Sequence, residues 1–257
     1  MHSKPIGVYD SGVGGLTVLK HLRALMPHEH FIYVGDTAHV PYGLKSPEEI
    51  VCYSKNIIDF LIHQKNAKCV VAACHTSSAV ALDLLNYEVP LVGTLHAPLM
   101  DIVATYPATS IGILATPASA KSQMHAKKLK EFGFQGECVT VACPKLVPFV
   151  ELGELDSEMV RTTLLEYLQA FDFSKVKALL YGCTHYPFLH PVIRELIPED
   201  VQLIDPAEAI AEEVRRVCSH PHVQTGNVEY FSTGPSEEFR KNIETLMGEL
   251  SNVVEMQ

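Results

Sequence analysis

Short apolar runs alternate with longer stretches of helical period along the whole chain. Ile6–Tyr9 reads as a buried strand and Thr17–Leu25 as a helix that Pro27 ends. Phe31–Val34 is the next strand. A helix follows over Pro47–His63, with Ser46 as N-cap and proline in the first turn. The alternation continues with strand Cys69–Ala73, helix Thr76–Leu85 and strand Leu91-Val92. Helices are predicted over Pro98–Ala104 and Ala118–Phe132, and strands over Ile111–Leu114 and Cys138–Val141. Helices 157–170, 188–196 and 207–218 then interleave with strands 177–181 and 201–204. Strand Val228–Phe231 and helix Ser236–Met247 close the pattern. Such alternation predicts an α/β fold with mainly parallel sheets flanked by helices.

In parallel sheets, ligands bind beyond the carboxyl ends of the strands, and the polar junctions of this chain fall there. Asp10-Ser11-Gly12, Gly35-Asp36-Thr37, Cys74-His75-Thr76 and Cys183-Thr184-His185 each follow an apolar run. The turn Asp10–Gly15 opens a helix but matches neither G-x-x-x-x-G-K-[ST] nor G-x-G-x-x-G. Its reading is a tight turn that brings backbone N–H groups and Ser11 to a small anion. Alternatively, Asp10 simply caps the following helix.

Cys74 and Cys183 sit where a helix start favours thiolate. The competing reading is the usual one for free cysteine, a small buried hydrophobe; it is applied here to Cys52, Cys69, Cys138, Cys143 and Cys218. His185, two residues after Cys183, is placed to set that thiol's charge. Cys74, His75, Cys183 and His185 lack zinc-ligand spacing, so no metal is expected.

Composition narrows the classes. A formal net charge of −10 argues against nucleic acid as a partner. An odd cysteine count of 7 without C-x-x-C argues against disulfides and for a reducing, cytoplasmic setting. The first residues carry no signal-peptide pattern, and no apolar run reaches the length that spans a bilayer. Surface helices leave a homodimer open without singling out a face.

Taken together, several motifs resemble glutamate racemase, nearly end to end. They are Gly7-Val-Tyr-Asp-Ser-Gly-Val-Gly-Gly-Leu-Thr-Val18, Tyr33-Val-Gly-Asp-Thr-Ala38, Val40-Pro-Tyr-Gly43, Ala142-Cys-Pro-Lys-Leu-Val-Pro-Phe-Val-Glu151, Gly182-Cys-Thr-His-Tyr-Pro187 and Phe231-Ser-Thr-Gly234. The resemblance implies two pseudo-symmetric α/β domains, 1–96 plus 208–257 and 97–207, with the active site in the cleft between them. It implies Cys74 and Cys183 as opposed acid/base thiols, without pyridoxal phosphate or any other cofactor. Asp10 would pair with Cys74, and Glu151 and His185 would assist Cys183. Ser11, Pro41, Tyr42, Gly43, His75, Thr76, Thr116 and Thr184, with Asp10 and His185, would hold an amino acid, glutamate first, for peptidoglycan synthesis.

Three places depart from the family's usual pattern. His75 stands where asparagine is usual, Gly93–Pro98 differs at the crossover, and Ser119 and His125 replace threonine and tyrosine after Thr116. The departures keep two alternatives in view: a racemase for aspartate or another small amino acid, and a weakened binding or regulatory homologue.

Overall fold

The computed structural model describes residues 4–218, 226–248 and 251–256. In chain order the elements begin with β1 (Ile6–Asp10), α1 (Leu16–Leu25), β2 (His30–Gly35), α2 (Pro47–Asp59), β3 (Cys69–Ala72), α3 (His75–Val80) and β4 (Leu91–Val92). Next come α4 (His96–Thr105), β5 (Ser110–Ala115), α5 (Pro117–Ser122), α6 (Met124–Glu131), β6 (Cys138–Ala142), α7 (Leu146–Glu151), α8 (Glu158–Leu168), β7 (Val176–Gly182), α9 (His190–Leu196) and β8 (Gln202–Ile204). The last are α10 (Ala207–Cys218), β9 (Asn227–Ser232), α11 (Ser236–Met247) and β10 (Val253–Glu255).

The strands form two sheets, ordered β10-β9-β2-β1-β3-β4 and β6-β5-β7-β8. Every pairing in both is parallel. The side-chain period of two sorts each strand between two cores. Ile6 and Val8 face α1, α10 and α11 through Leu19, Leu22, Val214 and Ile243. Tyr9 faces the opposite side, with Ile57, Ile58 and Leu61 of the α2 segment. In the second sheet Ile111 and Ile113 pack on Leu99 and Leu129, whereas Leu114 and Tyr181 pack on Leu146, Leu164 and Val192. Each sheet is therefore covered on both faces, and the carboxyl ends of β1, β3 and β7 carry the polar junctions. No helix among the described residues is long and apolar enough to cross a membrane.

Local differences from the sequence pattern have local causes. The helix expected to reach His63 ends at Asp59 and continues as a π turn over Phe60–Gln64. The Ser46 cap forms as a full capping box with Glu49. The helix expected over 118–132 divides at Gln123, whose φ of 56° is left-handed. The helix expected over 76–85 breaks after Val80 into a 3-10 turn over Leu82–Leu84. A periodic apolar stripe does not record such breaks, because the residues on either side keep facing the core.

The expectation of no disulfide is corrected: Cys69 on β3 and Cys218 at the end of α10 are bonded, with Cα atoms 6.0 Å apart and a sequence separation of 149. Both side chains belong to one core, and their proximity is tertiary, so neither parity nor spacing reveals it. Loop-closure entropy over such a span is worth about 5 kcal/mol. The Cys69→Ala/Cys218→Ala variant is expected to melt roughly 10 °C lower, and dithiothreitol to lower the wild-type melting temperature likewise. Calorimetry with and without reductant checks this; equal curves count against the cross-link.

Candidate active site between the two lobes

Asp10 ends β1 and is fully buried. Its Oδ1 accepts from the Gly12 N–H at 2.9 Å, so the carboxylate folds the turn that follows. Its Oδ2 accepts from the Thr184 hydroxyl at 3.0 Å, a bond from the other lobe. Burial pushes the Asp10 carboxyl up, opposed by His185, the Gly12 amide and Thr184. The glycines of this turn are needed where the lobes meet. A Cβ on Gly12 would meet the Glu151 carboxylate, one on Gly14 the His185 ring and Thr184, and one on Gly15 the Tyr33 hydroxyl. The Tyr33 hydroxyl donates to the Gly12 carbonyl at 2.9 Å and holds the turn from below.

Cys74 follows β3 as the residue before α3, and Cys183 follows β7 directly. Both are nearly inaccessible, 4% and 5% exposed. The Cys74 thiol faces the Ser11 hydroxyl at 3.9 Å. Burial, then the Asp10 charge, push this thiol up to about 11, and a charge on Cys183 adds to the shift. The lowering expected from a helix start is thus corrected: amide donors act at Cys74, but burial and the neighbouring carboxylate outweigh them. Beyond Cys183 the chain enters a 3-10 turn over Tyr186–Leu189. The charged partner of this cysteine is a side chain: His185 Nδ1 lies 3.7 Å from its sulfur.

The far side of that imidazole is held by Glu151, the last residue of α7, with Nε2 to Oε1 at 2.6 Å. Oε1 also accepts from the Val13 N–H at 3.2 Å, tying α7 to the glycine turn. Burial discourages the imidazolium, but hydrogen bonds to Cys183 and Glu151 prevail and hold His185 well above its ordinary value. Burial likewise works against the Glu151 carboxylate, and His185 and the Val13 amide prevail to hold it low. The pair is therefore ionised at neutral pH, with its cation beside Cys183. Cys74 meanwhile faces a carboxylate.

The other sequence candidates divide. Thr76 and Thr116 meet across the lobes, hydroxyl to hydroxyl at 2.9 Å, and Thr116 also donates to Ser119 at 3.0 Å. Gly43 packs on Thr116, and its turn follows the cis Val40–Pro41 bond. The Tyr42 hydroxyl donates to Asp36, which also accepts from Thr233 and pairs with His39 at 2.8 Å. Asp36 is thus a buried organiser of the Tyr42 turn that the sequence reading placed at a strand end without giving it a role. Cys74, His75, Cys183 and His185 do not converge as a metal site, because the His75 ring turns to His125 of α6, centroids 6.3 Å apart. An open groove of about 820 Å³ lies away from both sulfurs, lined by Pro98, Asp101, Pro206, Glu212 and Arg216.

His75 and His125 are buried, and none of their four ring nitrogens has a hydrogen-bond partner among the described residues. Burial, and for His75 also its neighbour, depress both, His125 to about 4. Their stabilising share is complete above the free value of 6.5 and is lost as pH falls towards about 4. At pH 5 this costs about 2 kcal/mol for His125 alone. His125→Phe is expected to resist acid better than the wild type, with the gap in melting temperature widening from pH 7.5 to pH 5. A constant gap removes this account.

The geometry matches known proteins closely. The model of the Asp/Glu/Hydantoin racemase family matches residues 17–214. The chain belongs to this family. Glutamate racemase of Geobacter metallireducens is 40% identical over 261 residues, covering 98% of this chain and 96% of its own. Glutamate racemase 2 of Caldanaerobacter subterraneus is 36% identical over 252 residues, 96% of this chain and 95% of its own. Among solved structures, glutamate racemase RacE1 of Bacillus anthracis superposes with a TM-score of 0.92 at 30% identity, covering 100% and 98% of the two chains. The Francisella tularensis enzyme, solved with D-glutamate, gives 0.89 at 29% identity, with 99% and 97% covered. The α/β class, the two facing lobes and membership among amino-acid racemases follow.

Proposed function

We propose that this chain racemizes glutamate, with Cys74 and Cys183 as the two acid/base groups. The full-length likeness to several glutamate racemases supports the reaction and the substrate. The observation that carries the mechanism is the unequal setting of two thiols delivered by separate lobes. Cys183 has an imidazolium at 3.7 Å, and Cys74 has a carboxylate that pushes it up to about 11. Inversion by proton transfer requires one thiolate and one thiol on opposite faces of a planar carbanion, because a single base returns the proton to the side it left. The charge pattern supports that reading: an imidazolium stands beside Cys183, and burial with the Asp10 charge keeps the proton on Cys74.

The sequence is then abstraction of the α-proton by one sulfur and donation from the other, with the roles exchanged in reverse. Glu151 holds the His185 ring in place, Thr184 and Asp10 tie the two catalytic loops together, and Ser11, Thr76 and Thr116 supply hydroxyls for the substrate's polar groups. Tyr42 and Gly43 bring a side chain and a backbone N–H from the turn after Pro41. No step in this scheme requires a metal or an organic cofactor. The two sheets support a division into domains 1–96 plus 208–257 and 97–207, and the near-complete burial of both sulfurs supports a parting of the lobes to admit substrate. A role in peptidoglycan precursor supply and a cytoplasmic location accompany this reading.

The test is incubation with L- or D-glutamate in deuterated water, followed by optical rotation and proton NMR. The expected result is racemate deuterated at the α-carbon from either enantiomer, with aspartate turned over far more slowly. Faster turnover of aspartate moves the assignment to that substrate, and absence of any α-exchange by folded protein assigns a non-catalytic role.

A further inference from the structure

Behind Cys74 lies a polar seam in an otherwise apolar core. Ser77, on α3, is fully buried, as are Ser54 of α2 and Tyr9 of β1. The Ser54 hydroxyl donates to the Ser77 oxygen at 3.3 Å. Ser77 is three residues beyond Cys74, in the first turn of the helix that Cys74 precedes, where side chain and amide meet. Its amide and hydroxyl therefore lie at the helix start that Cys74 opens and favour a negative charge on that sulfur, although the thiol closes no cap hydrogen bond in this geometry. The Tyr9 hydroxyl faces Ser54 and Ser77 without completing a hydrogen bond to either. Three hydroxyls thus lie together beside a core otherwise built of Ile57, Ile58, Val70 and Ala72. An apolar core has no use for such groups, because each incompletely bonded hydroxyl costs free energy.

We propose that Tyr9, Ser54 and Ser77 form a hydroxyl chain that turns its hydrogens towards Cys74 when that sulfur becomes a thiolate, making Ser77 a positioning residue for racemization. Hydroxyl hydrogens rotate freely, so the chain adapts to either charge state. With a neutral thiol, the serine oxygen is free to accept. With a thiolate, Ser77 donates to sulfur, Ser54 donates to Ser77, and Tyr9 is left to donate to Ser54. No proton leaves the chain, and the alignment strengthens each bond in turn.

The need for it arises at Cys74 and not at Cys183. The titratable groups facing Cys74 are Asp10 and Cys183, which both disfavour a negative charge there, and the hydroxyls of Tyr9, Tyr33 and Tyr42. Among the described residues, no cation is among the groups that act most strongly on this sulfur. Cys183, by contrast, has His185. A reaction that passes negative charge from one sulfur to the other requires both to bear it, and neutral donors are the means at Cys74.

This rests on the assignment of Cys74 as an acid/base thiol, so the two are tested apart. Ser77→Thr and Ser77→Val have the same shape and differ in the hydroxyl alone. In the deuterium-exchange and racemization assays, Ser77→Thr is expected to stay within about twofold of wild type. Ser77→Val is expected to lose roughly 3- to 10-fold in kcat with KM unchanged, the size of one hydrogen bond to a charged group. Equal kcat in the two variants overturns the proposal. Should both fail to fold, Tyr9→Phe, which removes only the outer hydroxyl, is expected to lower kcat about twofold, and an unchanged kcat overturns it. Cys74→Ser serves as the reference: if that variant stays active, the underlying assignment fails, whereas an inactive Cys74→Ser beside equal Thr and Val variants sinks the hydroxyl chain alone.

Discussion

Cys183→Ser and Cys74→Ser are each expected to lower racemization by about 1,000-fold, within the range that positioned acid/base groups supply. A serine hydroxyl occupies nearly the same space but ionises far above a thiol, so it neither takes the α-proton nor returns it at neutral pH. The more telling expectation concerns exchange. With one thiol removed, the remaining sulfur in its thiolate form can still abstract a proton from the face it addresses and return deuterium to the same face. Each variant is therefore expected to wash deuterium into one enantiomer of glutamate without inverting it. The favoured enantiomer should differ between the two variants, since the sulfurs approach from opposite lobes. Proton NMR of the α-position, together with chiral chromatography, separates exchange from inversion. If both variants exchange the same enantiomer, the sulfurs share a face and the two-base scheme is wrong.

What the sequence discloses about this arrangement follows from which signals are local. Strand Ile6–Tyr9 was legible because an apolar run bounded by a glycine turn has few other readings, and the structure adds only Asp10 to it. The polar junctions at the carboxyl ends of β1, β3 and β7 were legible for the same reason, since parallel strands deliver their ends to one side. The motif around Gly182–Pro187 pointed to His185 beside Cys183, and the structure places the ring at 3.7 Å from the sulfur.

Tertiary coincidences were not legible. The Cys69–Cys218 bond joins residues 149 apart, and the Glu151–Val13 contact joins residues 138 apart. Asp36 was visible as a strand-end aspartate, but its hold on Tyr42 and Thr233 depends on β9 pairing with β2. Ser77 and Ser54 gave no signal either, for a serine in a helical stripe reads as a solvent-side residue until burial shows otherwise. The thiol of Cys74 teaches the same point in energy: proximity to a helix start predicts a lowered value, yet burial and Asp10 decide the sign.

Glu151→Gln is the second variant from which a large effect is expected, and it acts through charge with almost no change of shape. The glutamine can still accept from the Val13 N–H, so the tie between α7 and the glycine turn survives. What disappears is the anion that keeps a buried imidazole charged. His185 is held well above its ordinary value, against burial, by Cys183 and Glu151 together. Removing one partner of a buried pair costs roughly 3–5 kcal/mol when the other keeps its charge, so the ring is expected to lose its proton near neutrality. The sign follows from the raised value: stability from the wild-type imidazolium is complete below the free value of about 6.5 and is lost as pH rises through the folded-state value. In Glu151→Gln that loss begins at lower pH, so the melting deficit relative to wild type is expected to be larger at pH 6 than at pH 8.5, because the wild-type contribution itself declines as pH rises above 6.5. Activity is expected to fall about 100-fold at neutral pH, since a neutral imidazole no longer favours negative charge at Cys183, and to recover in part as pH is lowered and the ring regains its proton. An activity deficit that stays constant across pH assigns Glu151 a packing role only and detaches the charge of His185 from the chemistry at Cys183.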